Sequence, residues 1–412
     1  MTPKGKTPIF ILSGKSPIEA SGGGYSSFAY NLAKTVKKMG HPTYIIALGN
    51  ETKQVETKAG TLVLFKASIP LLNVNIYALP GLPLYSIIFA KGIQNIVNKN
   101  KYDKFVVWGI GPWGLAGSLL KMFSKQKVIH LNNYFTTIRH EWWGGVKALK
   151  IRDYGLWPKL KYLIIYATAV QYLAILEKVT LKYVDKIITN YQSTEEILHN
   201  EFHIANKKFI RIRSYIQTYK RKNIEVLKNK RFSTPSKYLF FFSRQDPRKG
   251  VNFLLRTIKI LLEDGYKIPL VIAGGGDMLN QNKRLAKKLK IEKYVKFLGF
   301  VNNPETLMKK CLVFIFPSIE EGSSALTINE VMQVGIPIVS TACDGIIEDI
   351  DNGKSGILVP KEDTIAMASA IEFILDNPKY ARKLAEGAKK HYKRKFNLKY
   401  MEQDINKLLQ NI

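Results

Sequence analysis

Between Cys311 and Thr341 the chain reads CLVFIFPSIEEGSSALTINEVMQVGIPIVST, and this order of segments limits the possible fold more than any other stretch. Residues 311–316 and 336–341 are short β-rich runs with no polar alternation, so both faces of each strand must be covered. That is the signature of a parallel sheet with helices packed on it. Pro317 closes the first run, and Glu320, Glu321, Gly322, Ser323 and Ser324 follow as a loop. A helical segment carrying Glu330 then runs to Gly335 and Pro337, with Ser324 or Thr327 expected to cap it.

Such a loop has two readings from its residues alone. It can be an ordinary βαβ turn with solvated glutamates, or an anion site in which small residues let a ligand approach the backbone and the helix start offers unpaired N–H groups. In an open parallel sheet, ligands sit at the carboxyl ends of the strands. A nucleoside diphosphate sugar suits the second reading, with amides for the phosphates and carboxylates for hydroxyls.

The same alternation recurs. Strands are expected at residues 8–13, 44–48, 61–65, 104–108, 128–131, 238–242, 269–273 and 295–300, with helical spacing between many of them, as in Phe28, Leu32, Val36 and Met39. A chain of 412 residues exceeds one core and suits two domains. We place these at 1–215 and 216–395, with 396–412 as a closing helix.

Composition narrows the partners. With 63 Lys+Arg against 32 Asp+Glu the net charge is +31, which calls for an anionic partner: nucleic acid, membrane or phosphorylated substrate. Glu19, Glu51, Glu56 and Asp103 are the only acids before position 140, so the first domain is expected to meet an anionic surface. A general lysine bias that merely solvates the protein is the plainer reading. Cys311 and Cys343 lie in strand-like positions, which points to neither a disulfide framework nor a metal cluster and is consistent with a reducing compartment. No signal peptide is read at the start. Residues 69–89 are apolar and uncharged but carry three prolines, no other uncharged apolar run reaches about 18 residues, and a membrane-spanning helix is not expected. Residues 162–176 are uncharged and bordered by Lys147, Lys150, Arg152, Lys159 and Lys161. They suit either an interfacial helix or a core helix.

Several segments together resemble the retaining glycosyltransferases of family 4, which have the GT-B fold and use nucleotide sugars. Glu321-Gly322-Ser323-Ser324, Glu330, Met332, Gly335 and Pro337 follow the donor-site pattern E-G-(F/S)-(G/S)-x4-E-A-M-A-x-G-x-P. Ser243-Arg244 and Pro247-Arg248-Lys249-Gly250 follow G-R-x-x-P-x-K-G, and Gly23, Gly24, Leu32, Ala33, Val36, Gly40 and His41 follow the first-domain glycine motif. One departure is an extra residue between Glu321 and Glu330, which favours Glu330 as the retained acid.

The resemblance implies an α/β architecture of two Rossmann-like domains with parallel sheets facing a central cleft. It implies Arg244 and Lys249 as cations on the departing diphosphate, with Glu321 as a further catalytic candidate. Gly23, Gly24, Gly322, Ser323, Ser324, Ala325, Leu326 and Glu330 are implied as donor-binding residues. A histidine usually stands at a strand end of the first domain; here Asn132 holds that place and His130 lies two residues earlier, so both are candidates.

No cofactor or metal is implied. The expected donor is a UDP-, GDP- or ADP-sugar and the expected acceptor a glycan or a lipid-linked molecule, at the cytoplasmic face of an anionic membrane. Two alternatives stay open: a GT-B nucleotide-sugar epimerase, and a DNA-binding or DNA-base glucosylating protein explained by the charge. Nucleic acid is the less favoured partner.

Overall fold

A computed structural model of the chain describes residues 6–18, 24–67, 81–213, 235–301 and 304–412. The chain forms two compact units, one of Met1–Thr137, Ala169–Gln217 and Asn397–Ile412, the other of Ile138–Thr168 and Thr218–Phe396. The stretch 138–168, expected in the first domain, thus packs with the second. The expected boundary at 215/216 lies outside the described residues.

The first unit holds β1 (Ile9–Lys15), β2 (Thr43–Gly49), β3 (Lys53–Thr57), β4 (Gly60–Lys66), β5 (Lys104–Ile110), β6 (Lys127–Asn133), β7 (Lys186–Thr189) and β8 (Phe209–Arg211). Their order is β3-β4-β2-β1-β5-β6-β7-β8. All neighbours are parallel except the β3–β4 hairpin, which turns at Lys58 and Ala59. Its outer strand is mostly polar and exposed, so its residues carry no apolar strand signal. Ile9, Ile11, Trp108 and Leu131 form the floor of a core completed by Phe28, Leu32 and Val36 of the helix Gly24–Lys38. Met401, Ile405 and Leu408 of the helix Leu398–Gln410 close the same core. Arg213 holds that helix with a two-point bond to Asp404 (2.7 and 2.9 Å).

The second unit holds β9 (Leu239–Phe242), β10 (Leu270–Ala273), β11 (Val295–Gly299), β12 (Val313–Phe316), β13 (Ile338–Thr341) and β14 (Ile357–Val359). The strands are parallel in the order β11-β10-β9-β12-β13-β14. Numbered within the unit this is 3-2-1-4-5-6, the doubly wound dinucleotide-fold order. The strand order reverses between β9 and β12, so the loops leaving those two strands flank the place where such sheets bind ligands. Phe240, Phe241, Phe314 and Phe316 are fully buried at that seam, which fixes the two strands rigidly beneath the loops.

One helical run departs from expectation. Leu156–Tyr183 is 28 residues long and, by length and composition, able to cross a membrane. Lys159, Lys161, Lys178 and Lys182 interrupt its apolar stretch, so it is not an uncharged run.

Candidate functional site

The loops after β9 and β12 are bonded to each other along their backbones. Ile319 donates its N–H to the Arg248 carbonyl (2.8 Å), and the Ser318 hydroxyl donates to the same oxygen (3.1 Å). Gly250, at φ +67°, lies so close that an added Cβ would stand 1.9 Å from the Pro317 carbonyl oxygen. Only glycine satisfies both the backbone angle and the space. The sequence pairing of Arg244–Lys249 with Glu321–Ala325 is therefore also a pairing in space.

Lys249 is 6% exposed, and its ammonium contacts both Glu321 oxygens at 2.5 and 2.7 Å over the face of Phe316. Burial lowers its pKa while the Glu321 carboxylate opposes the shift. Arg244, at the end of β9, is 58% exposed in its side chain, with Glu141 at 3.8 Å and Asp246 at 3.6 Å. It can reach a ligand with less rearrangement than Lys249.

Beyond Glu321, Gly322 turns the chain at φ +79°. Ser323 is buried and Ser324 partly so, and the helix Leu326–Val334 begins with Ala325 as its N-cap. No side chain caps it, so neither Ser324 nor Thr327 fills the expected role. The Ile328 amide bonds back to the Ala325 carbonyl at 3.0 Å, and the dipole at this helix start is positive. The Ser324 hydroxyl is buried with no hydrogen-bond partner. Glu330 stands on the helix, partly exposed.

The first-unit candidates fare differently. Gly23 lies outside the described residues, and Gly24 is the first residue of its helix. His130 and Asn132 are fully buried in β6. The His130 ring packs on Gly117, and desolvation drives its pKa down to about 4. The Asn132 amide donates to the Gly111 carbonyl at 3.0 Å. Both are interior residues of the first unit's sheet.

The structure also brings in residues that sequence reasoning passed over. The helix Ile138–Ala148 packs on the loop after β9. His140 Nε2 lies 2.9 Å from Glu320 and 3.2 Å from Asp344, while Lys147 pairs with Glu320. Asp344 accepts the Glu321 and Gly322 amides at 2.6 and 2.7 Å, at the cost of a positive φ of 43°. Arg248, 10% exposed in its side chain, reaches Glu141 at 2.7 Å and Glu321 at 3.5 Å. Burial would lower the His140 pKa, but the hydrogen bonds to Asp344 and Glu320 outweigh it and raise it to about 9.

His140, Glu320 and Asp344 place one donor atom each within 4.8 Å of one another, a spacing that could admit a cation. Protonated His140 has no lone pair to give, and Lys147 and two amides already occupy the carboxylates, so the set reads as a salt network that shapes the loop. Asp349 and Asp351 form a D-x-D triplet, a pattern the sequence reading did not find, and both carboxylates have lysine partners, Asp349 with Lys395 at 2.8 Å and Asp351 with Lys354 at 3.7 Å. The partners of His140 lie some 180 to 200 positions away in the chain, so no local pattern could have joined them.

Comparison with known proteins identifies the chain's relatives. Residues 223–391 match the family model Glycosyl transferases group 1, and residues 22–218 match Glycosyltransferase Family 4. An uncharacterized glycosyltransferase of Haemophilus influenzae is 23% identical over 366 residues, covering 87% of this chain and 88% of that protein. A Campylobacter jejuni α-1,4-N-acetyl-D-galactosaminyltransferase, whose name gives a diphospho-undecaprenol-linked glycan as its acceptor, is 29% identical over 177 residues, 42% of this chain and 48% of that protein. The solved structure of Anabaena HepE in complex with UDP and glucose covers 98% of this chain and all of that one, with TM-score 0.69 and 14% identity.

Proposed function

The chain belongs to glycosyltransferase family 4 and has the GT-B fold, and on that premise we propose that it moves a sugar from a nucleoside diphosphate donor held in the second unit. The observation that carries this is the bonded pair of loops at the β9/β12 switch point, which joins Lys249, on the same loop as Arg244, to Glu321 shortly before the uncapped start of the helix Leu326–Val334.

As the glycosidic bond breaks, negative charge grows on the diphosphate oxygens. The Arg244 guanidinium takes it bidentately, Lys249 adds a point charge, and the amides of Ser323, Ser324 and Ala325 complete the cradle. Lys249 serves only if phosphate replaces Glu321 as its partner, so donor binding frees the Glu321 carboxylate. Glu330 holds the nucleoside hydroxyls. These fixed cations do the work of a divalent ion, and the reaction runs with retention as the family resemblance implies.

UDP is the first donor to test, since the HepE structure binds it. A lipid-linked glycan at the cytoplasmic face is the proposed acceptor, in keeping with the Campylobacter relative's name. The test is a screen of UDP-, GDP- and ADP-sugars for thermal stabilisation and hydrolysis, with Arg244→Ala and Glu330→Ala alongside. One donor family should stabilise the protein and lose that effect in both variants. Stabilisation that survives both would place the donor elsewhere.

A further inference from the structure

The short helix Ile151–Tyr154 and the helix Leu156–Ile165 present apolar side chains to water where globular proteins present charge. Trp157 is 79% exposed, Leu156 57%, Ile164 56% and Ile151 52%, and the second helix has no buried residue at all. Leu156, Leu160 and Ile164 recur at i, i+4 and i+8, so they line one outward face. The opposite side packs inward through Tyr162, whose ring meets Trp142 at 5.3 Å. The usual helix polarity is inverted, which marks a surface meant for an apolar medium.

This face is held rigidly to the second unit. Asp153 is buried and bonded by Arg256 Nε (2.9 Å) and Asn252 (3.0 Å), and the Tyr154 hydroxyl donates to Asn282 at 2.6 Å. Asn282 belongs to the helix Leu279–Lys288, whose Lys288 ammonium donates to the Arg152 carbonyl at 2.7 Å. That helix exposes Lys283, Arg284, Lys287 and Lys288, and it contains no acid. Arg152 and Lys161 are exposed beside the apolar side chains. Asp153, the one acid between residues 151 and 168, is consumed by its arginine.

We propose that this apolar knob and the adjoining lysines dock the second unit on an anionic lipid bilayer, with Trp157 and Leu156 entering the interface and the cations meeting lipid phosphates. Charge decides the occupant: a protein partner would need an apolar patch ringed by acids, whereas a phosphatidylglycerol surface supplies both layers at once. The docking gives the lipid-linked acceptor of the proposed reaction a surface on which to reach the enzyme, and in that sense it rests on that reading.

The test is cosedimentation of the full chain with vesicles of phosphatidylcholine, alone or mixed with phosphatidylglycerol, beside thermal stabilisation by UDP. Wild type should pellet with the mixed vesicles only and be released by high salt. Trp157→Glu, and separately the pair Lys287→Glu and Lys288→Glu, should each cut the bound fraction roughly tenfold or more while UDP stabilisation is kept.

Four results would overturn the docking. They are equal binding to phosphatidylcholine alone, binding indifferent to these variants, release only by detergent, or a dimer that Trp157→Glu dissolves without any vesicle binding. Loss of vesicle binding with UDP stabilisation intact counts against the docking alone. Vesicle binding with no nucleotide stabilisation counts against the donor site alone.

Discussion

Removing Glu321 is the sharpest probe of the second unit's site. In Glu321→Met the Lys249 ammonium stays 6% exposed with its bidentate partner gone. An uncompensated buried charge of this kind costs roughly 3–5 kcal/mol. In a folding unit of about 200 residues, 1 kcal/mol moves the melting midpoint about 2–4 °C, so the expected loss is on the order of 6–20 °C. The assay is calorimetry of the full chain, following the transition of the second unit. The double variant Lys249→Met/Glu321→Met removes both charges and should recover most of that loss, since a buried pair replaced by apolar side chains is often neutral. The double variant should nevertheless fail to be stabilised by UDP, because the phosphate cation is gone. A Glu321→Met midpoint within about 2 °C of wild type would refute the reasoning, since it would mean the ammonium is solvated after all.

Three further outcomes follow from the geometry. His140, raised from 6.5 to about 9, lends stability in full below pH 6.5 that is lost as pH rises through 9; unfolding free energies from urea titrations should fall by up to about 3 kcal/mol between pH 7 and 10, and His140→Gln should flatten the curve. Gly250→Ala forces a Cβ to 1.9 Å from the Pro317 carbonyl at a positive φ, so it should destabilise by at least about 2 kcal/mol and abolish UDP stabilisation together. Arg213→Ala, by contrast, breaks a half-exposed pair with Asp404 and should cost less than about 1 kcal/mol in a denaturant titration.

Strands buried on both faces were readable because their apolar runs do not depend on distant partners: β9, β10, β12 and β13 all fall inside the expected spans. Arg244, Lys249 and the loop after β12 were readable for the same reason, each being a short stretch at a strand's carboxyl end. The hairpin strand β3 was not, because a polar edge looks like a loop. Nor was the helix Ile138–Ala148 legible as part of the second unit. Its attachment depends on Glu141 meeting Arg248 and His140 meeting Asp344 across long gaps in the chain. The burial of His130 was not legible either, because a histidine near a strand end carries no local sign of which side of the sheet it faces.

That the second unit is assembled from two separated stretches has a practical consequence for anyone dissecting the enzyme. A fragment spanning Thr218–Phe396 would inherit every strand of its sheet yet arrive without Glu141, His140 and Lys147. Arg248 would lose its nearest carboxylate, and Glu320 its histidine and Lys147, in the loops after β9 and β12. The second unit is not a cassette that can be cut from the gene in one piece; grafting it onto another scaffold means carrying residues 138–168 along with it.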